Sequence, residues 1–287
     1  MGLLLPMAGI ICQANDSEAI DDGASSPENA LADYFSNWFS RASAIQAEQP
    51  HWITPLVTTT GRVEEKFRYD QMWESLRGGE TLTNYGGGGS KGLDLVPFNP
   101  VEVTIGLPSW QTVNSKPAKN GWTDESFRIK YRLLAADEEN GNYILSAFVG
   151  LTVPNGSDNT TSHHFAYSPT IAFGKGFGDF DVQGTLGTSV PDNGGSRVGT
   201  GTPILSNTAF QYHLLKYLWA QVETNYTYWP NGNHESLSQL FLTPGLAIGR
   251  IPIAGRVGLT VGAGCQIAVT DNPLYHRNII LSARLPF

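Results

Sequence analysis

The residues of this chain that could do chemistry are charged side chains at every second position. Arg128, Lys130 and Arg132 place three cations on one face of an alternating stretch, and a period of two is that of a β-strand. Such residues either form a salt-bridged network with acids on a neighbouring strand or set the selectivity of a pore. The candidates on this polar face are Glu64, Lys66, Arg68, Asp70, Glu102, Arg128, Lys130, Arg132, Asp181, Glu223, Arg256 and Arg284.

Most motifs of catalysis and cofactor binding are missing from the sequence, which has no P-loop and no C-x-x-C. Residues 86–89 are four glycines without the Lys and Ser/Thr of a phosphate loop, so we interpret them as a bend. The adjacent His163 and His164 would point to opposite faces of a strand, which makes a poor metal site. We therefore predict no catalytic residue, no metal and no cofactor.

Composition excludes several classes of protein. The net charge is −8, so nucleic acid, which requires a basic surface, is not an expected partner. Charged residues make up 15% of the chain, below the roughly one quarter of a soluble domain. No stretch approaches the roughly 18 apolar residues of a membrane helix. Cys12 and Cys265 cannot form a disulfide framework.

The elements that must position the charged residues are strands, and the end of the chain shows this best. From Val257 to Val269 every second residue is apolar, and the residues between them are small or polar. After a polar connection, a second alternating run ends at Phe287. One apolar face opposite a polar one is typical of a strand between lipid and a watery lumen. A soluble β-sandwich, which can show the same alternation, is the alternative.

The number of strands and the sorting of their connections favour the membrane. Counting residues 81–97 as one strand, the alternating stretches add up to about twelve. Tight turns are predicted on one side, for example at residues 215–216 and 251–254, and longer polar loops on the other, for example at residues 191–202 and 270–276. This sorting is typical of outer-membrane barrels. We predict an all-β fold, a closed antiparallel transmembrane β-barrel of about twelve strands.

Three regions are expected along the chain. Residues 1–14 resemble a signal peptide without its basic start, so we expect the true start to lie upstream. Residues 15–50 contain a polar segment and one amphipathic helix that begins at Ser26-Pro27-Glu28 and ends before Pro50. The helix either packs on the rim of the barrel, or it plugs the lumen or serves as a periplasmic docking element. Residues 51–287 form the barrel.

Several stretches resemble the family named "MetA-pathway of phenol degradation", described as outer-membrane transporters. The resemblance spans residues 46–287, and its stretches are 46–55 (QAEQPHWITP), 64–70 (EEKFRYD), 84–88 (NYGGG), 91–98 (KGLDLVPF), 124–127 (DESF), 130–134 (KYRLL), 139–143 (ENGNY), 207–213 (NTAFQYH), 241–245 (FLTPG) and 279–287 (IILSARLPF). It implies uptake of aromatic or other hydrophobic compounds across the bacterial outer membrane. It supplies no residue-level mechanism.

We therefore predict a passive outer-membrane transporter or channel for small hydrophobic or aromatic compounds, and no enzyme. The alternatives are a non-transporting structural barrel and, less favoured, a lipid-modifying enzyme with a Ser–His pair on the outer face. The expected partners are outer-membrane lipid, the outer-membrane assembly machinery and a small hydrophobic solute. Phe287, at the end of an alternating last strand, is the predicted assembly signal.

Overall fold

The computed structural model describes residues 27–87, 90–115, 117, 119–192 and 201–287. The predicted leader, the polar segment up to Ser26, and Gly88 and Gly89 lie outside these residues. Within the described residues, no helix has both the length and the apolar character needed to cross a membrane.

Two short helices precede the sheet where one was predicted, α1 (Pro27–Ser36) and α2 (Trp38–Ala47). Side-chain hydrogen bonds to the Asp33 carbonyl oxygen lie beside the interruption. This oxygen accepts hydrogen bonds from Ser36 Oγ at 3.1 Å and from Asn37 Nδ2 at 3.0 Å. Ser and Asn side chains that bond to the backbone in this way compete with the helical ladder.

Twelve strands follow in the described part of the chain, three of them built of two segments. They are β1 (Lys66–Leu76), β2 (Thr81–Tyr85 and Gly92–Phe98), β3 (Val101–Gly106 and Trp110–Val113), β4 (Lys119–Trp122 and Glu125–Ala136), β5 (Tyr143–Val153), β6 (Ala166–Phe177), β7 (Phe180–Thr188), β8 (Ile204–Leu215), β9 (Leu218–Tyr228), β10 (Ser238–Ala254), β11 (Val257–Ala268) and β12 (Tyr275–Pro286). A two-residue strand, Val190–Pro191, also pairs with β6.

The sheet closes on itself. Each strand pairs antiparallel with its neighbours in the sequence, and β12 pairs with β1 from Lys66↔Pro286 to Leu76↔Tyr275. Closure leaves no free sheet edge, which is the condition for a sheet to cross a membrane. The predicted closed antiparallel barrel of about twelve strands is confirmed.

The strand predicted over residues 81–97 is interrupted. Its first segment pairs with β1 at Gln71↔Tyr85 and its second at Phe67↔Leu93, so the described residues 86, 87, 90 and 91 belong to an insertion between them. Gly86 and Gly87 lie in it with φ of +117° and +80°, a conformation that glycine adopts without steric cost. The described part of the glycine run is therefore a bend.

One predicted turn is wrong. Residues 251–254 remain in β10, and the chain reverses instead at Gly255, whose φ is +54°. Pro252 is tolerated in the strand because the ladder to β11 shifts register beside it, between Pro252 and Ala254.

The two faces of the barrel have opposite character. Large apolar side chains such as Ile129, Ile171 and Leu246 are more than half exposed on the outside. Trp110 and Trp122, paired across β3 and β4 with ring centroids 5.2 Å apart, add an aromatic pair of the type found at membrane interfaces. The buried residues of the strands are mostly polar or charged. An apolar exterior around a polar interior is the arrangement of a transmembrane barrel.

Candidate functional site

A stretch of backbone without secondary structure occupies the barrel interior. Residues 49–65, here called the lumen segment, form no strand and are buried except for His51, Val57 and Thr59. Residues 51–65, assigned to the barrel itself from the sequence, belong to this segment, and β1 begins only at Lys66. Gln49 Nε2 donates to the Val63 carbonyl oxygen at 2.8 Å, and Val63 N donates back to Gln49 Oε1 at 3.0 Å. The segment is therefore a loop whose two ends meet.

One carboxylate binds the tip of this loop. Glu223, fully buried on β9, accepts hydrogen bonds from three consecutive backbone N–H groups. The distances are 2.7 Å from Leu56 N, 3.0 Å from Val57 N and 2.6 Å from Thr58 N. Hydrogen bonds to a charged acceptor are about twice as strong as neutral ones, so Glu223 is the main anchor of the tip.

Cations of the wall bind the carbonyl groups of the same loop. Arg68 Nη2 donates to the Leu56 carbonyl oxygen at 2.5 Å, and Arg284 Nη2 donates to that of Pro55 at 2.9 Å. Lys130 Nζ donates to the Arg62 carbonyl oxygen at 2.8 Å. An irregular backbone is tolerated inside a barrel only if its polar groups are satisfied in this way.

Neutral side chains complete the contacts. Ser146 Oγ donates to the Gly61 carbonyl oxygen at 2.5 Å, and Gln183 Nε2 donates to that of Ile53 at 3.0 Å. Thr60 Oγ1 donates to Gln183 Oε1 at 2.7 Å. The loop is thus bound to β1, β4, β5, β7, β9 and β12, around much of the wall.

The apolar part of the tip lies against glycines. A Cβ atom at Gly245, Gly262 or Gly264 would stand 2.5, 2.7 or 2.7 Å from the Leu56 side chain. On the other side, a Cβ at Gly174 would stand 2.5 Å from the Trp52 ring. The small residues on these inner faces are required by the side chains of the lumen segment.

The charged candidates pair with one another. Lys130 contacts Glu102 on the adjacent strand at 2.7 Å, and Arg68 contacts Asp70 at 2.7 Å. The other ion pairs of these candidates are Lys66 with Asp94 (2.9 Å) and with Glu64, Arg62 with Glu64 (2.6 Å), Arg250 with Glu64 (3.7 Å), Arg128 with Asp94 (3.8 Å) and Arg132 with Glu48 (2.8 Å). The structure therefore joins most of the candidates in a network that includes the lumen segment.

The remaining candidates differ in position. Asp181 is buried and its Oδ1 accepts from Gln183 Nε2 at 3.1 Å. Arg256 is exposed at the β10–β11 turn, where its Nη1 donates to the Phe39 carbonyl oxygen at 3.0 Å. Arg256 is thus not a lumen residue as predicted, because the turn lies at residues 255–256 and removes it from the inner face.

The histidine pair lies in a loop and not on a strand. His163 has a φ of +58°, and His164 Nδ1 lies 3.2 Å from Asp192 Oδ1. Within the described ranges, no group of three or more His, Cys, Asp or Glu side chains is close enough to share a metal ion.

Sequence reasoning missed an amide ladder. The side-chain amides of Gln183, Gln211 and Gln221 contact one another at 2.7 and 2.6 Å across β7, β8 and β9. Gln221 Nε2 then donates to Glu223 Oε1 at 3.0 Å. A signal was present, since each Gln lies on the polar face of an alternating strand, but alternation does not show that the three side chains meet.

The part of the lumen beyond the tip is lined mostly by amide and hydroxyl groups, with the carboxyl of Glu74 near Tyr275. Thr243 Oγ1 and Gln266 Nε2 donate to Asn225 Oδ1 at 3.1 and 3.0 Å, and Tyr275 OH donates to Gln266 Oε1 at 2.6 Å. The lumen therefore has a charged half occupied by the lumen segment and an amide-rich half next to the longer loops.

Together the closed sheet, the apolar exterior and the polar interior make this chain a β-barrel of the bacterial outer membrane. No protein-family model and no curated protein matches the chain. Among solved structures, an outer membrane channel from Pseudomonas putida F1 aligns with 12% identity over 82% of this chain and 100% of its own, with a TM-score of 0.54.

Two further solved structures are similar. KdgM porin covers 77% of this chain and 99% of its own at 12% identity, with a TM-score of 0.45. The translocator domain of the autotransporter NalP from Neisseria meningitidis covers 90% and 97% at 10% identity, with a TM-score of 0.44. The likeness to the Pseudomonas channel agrees with the barrel fold found here.

Proposed function

We propose that this chain is a passive outer-membrane channel or transporter for small hydrophobic or aromatic compounds, and that the lumen segment closes it. The observation that carries the proposal is the binding of three consecutive backbone N–H groups of the segment by Glu223. A wide, permanently open pore needs no loop bound inside its lumen. A channel that opens and closes needs such a loop, and the contacts that hold the loop must be reversible.

The contacts allow the segment to move as a unit. They are hydrogen bonds, ion pairs and the packing of Leu56 and Trp52, and the ends of the loop, Gln49 and Val63, lie together. Displacement therefore requires no change in the strands of the wall. The hydrophobic nature of the solute is supported by the sequence resemblance alone.

The test is uptake by liposomes that contain the refolded protein. We expect phenol and toluene to enter faster than into protein-free liposomes and a hydrophilic sugar to be excluded. Equal exclusion of all three would contradict the proposal. Equal entry of all three would contradict the proposed solute class.

A second candidate, a non-transporting structural barrel, is favoured by the density of ion pairs around the segment. Planar-bilayer recordings separate the two. A channel with a movable segment should show a higher open probability in Glu223→Gln than in the wild type. A barrel that never transports shows no conductance in either protein.

A further inference from the structure

A small cavity adjoins the lumen segment inside the wall. Its volume is roughly 20 Å³, and it lies between Thr54, Thr59 and Thr60 of the segment and the inner face of β1, β2 and β4. Among the described residues, the charged side chains that line it are Lys66, Arg68, Lys91, Arg128, Lys130 and Asp94. Five cations and one carboxylate therefore surround the same space.

The acids nearby do not balance these cations. Asp94 is shared, since Lys66 contacts it at 2.9 Å and Arg128 at 3.8 Å. Glu64 is also shared, since it pairs with Lys66 and, at 2.6 Å, with Arg62. Asp70 and Glu102 each pair with one cation, Arg68 and Lys130. The cavity therefore has an excess of positive charge in a region that water reaches poorly.

Lys91 is the cation around this cavity that has no acidic partner among the described residues. It is partly buried in the insertion of β2, and its amino group forms neither an ion pair nor a hydrogen bond with the residues that the structure describes. The charged groups that act on it are Arg68, Arg128 and Arg284, which repel it, and Asp70, which attracts it. A cation left without a partner in such surroundings is unfavourable, and an anion in the cavity would remove the cost.

The guanidinium group of Arg128 is also incompletely paired with carboxylates. Its Nη2 donates to the hydroxyl of Thr104 at 2.9 Å and its Cζ lies 5.4 Å from the centroid of the Phe148 ring, whereas its nearest carboxylate oxygen, Asp94 Oδ1, is 3.8 Å away. The planar guanidinium group is suited to the two oxygens of a carboxylate. Lys91 and Arg128 are thus two cations with unused capacity around one cavity.

We propose that this cavity binds the carboxylate group of a small organic acid, with Lys91 and Arg128 as its ligands. A volume of roughly 20 Å³ admits a group about as large as one water molecule or slightly larger, so only the head of the acid enters. The body of the solute remains outside the cavity. The inference rests on the proposed function and narrows its solutes to those with a carboxylate on an apolar body.

The test is calorimetric titration of the refolded full-length protein with benzoate and with benzyl alcohol, in a buffer without chloride. We expect benzoate to bind and benzyl alcohol, which has the same ring without the charge, not to bind. Lys91→Gln should weaken benzoate binding at least about tenfold, because a hydrogen bond to a charged group is lost. Lys91→Arg, which keeps the charge, should bind within a few-fold of the wild type.

The matched control is Lys119→Gln, the same substitution at an exposed lysine of β4, and it should leave the dissociation constant unchanged. Folding of each variant is verified by heat-modifiable gel mobility. If Lys91→Gln does not fold, Arg128→Gln carries the same expectation. Absence of benzoate binding, equal binding of benzoate and benzyl alcohol, or unchanged binding in the lysine variant would each overturn the proposal.

Uptake experiments distinguish a failure of the carboxylate site from a failure of the proposed channel function. Benzoate binding without uptake of any solute would support the site and contradict the channel. Uptake of toluene, together with equal benzoate uptake by wild-type and Lys91→Gln liposomes, would support the channel and contradict the site.

Discussion

At the scale of single residues, the Glu223 carboxylate determines whether the lumen segment stays in place. Glu223→Gln keeps the shape of the side chain but removes its charge and one acceptor oxygen. We expect the free energy of unfolding to fall by about 2 kcal/mol, because hydrogen bonds to a charged group are worth about 1.5–3 kcal/mol. Amide hydrogen exchange of the peptide that contains Leu56, Val57 and Thr58 should become faster.

The control is Glu235→Gln, the same change at an exposed loop position. It should alter neither the free energy of unfolding nor the exchange of that peptide. Unchanged exchange in Glu223→Gln would show that the remaining contacts are sufficient to fix the tip.

A second residue-scale prediction concerns pH at the start of the segment. Glu138, in the turn between β4 and β5, accepts from His51 N at 2.6 Å and contacts His51 Nδ1 at 2.9 Å. Burial raises the pKa of the Glu138 carboxyl, but the hydrogen bonds from His51 outweigh this and lower it below its ordinary value of 4.5. A lowered folded-state pKa stabilises the fold above pH 4.5 and loses this effect as pH falls through the folded-state value.

The stability difference between wild type and Glu138→Gln should therefore be measurable at pH 6 and smaller at pH 3. It should be below about 1 kcal/mol, because the pair is partly exposed and screened by solvent. Guanidinium unfolding at both pH values measures it, with Glu139→Gln, an exposed neighbour, as the control. A difference that grows towards pH 3 would contradict the role assigned to the carboxylate.

At the scale of elements, β10 and β11 are shaped for the tip of the lumen segment. A Cβ atom at Gly262 would stand 2.7 Å from Leu56 Cδ2, closer than van der Waals contact permits. We expect Gly262→Ala to lower the free energy of unfolding by about 1–3 kcal/mol, the usual cost of overpacking. Chemical unfolding in detergent micelles measures it.

Two variants make this prediction specific. Gly150→Ala on β5, where the nearest atom to a new Cβ is 3.5 Å away, should change stability little. The double variant Gly262→Ala with Leu56→Ala should be more stable than the sum of the single effects predicts, because the two side chains share one space. Strict additivity would mean that Leu56 does not occupy this position.

The elements also show what a sequence can reveal. The strands were predictable because alternation is a local property, and Lys130 was expected beside an acid, which Glu102 supplies on the next strand. The lumen segment was not predictable from the sequence, because its position depends on contacts with residues far away in the chain. Leu56 and Glu223 are 167 positions apart, and Arg132 pairs with Glu48 outside the sheet. The one indication of it in the sequence is that the residues between the helix and the first strand do not alternate between polar and apolar.

At the scale of the whole molecule, the seam between β1 and β12 closes the barrel, and Phe287 extends it. Its backbone N–H donates to the Glu65 carbonyl oxygen at 3.1 Å, beyond the last paired residues Lys66 and Pro286.

Removing Phe287 costs the fold about 1 kcal/mol at this bond, so the truncated chain should refold in detergent micelles nearly as well as the wild type. In cells we expect a smaller folded fraction in the outer membrane, because the assembly machinery then lacks the terminal aromatic residue that we propose it recognises. Heat-modifiable gel mobility measures both fractions, and Phe287→Tyr, which keeps an aromatic end, should assemble normally. Equal assembly of truncated and intact chains in cells would contradict the role of Phe287, and failure of both refolding and assembly would assign it to stability instead.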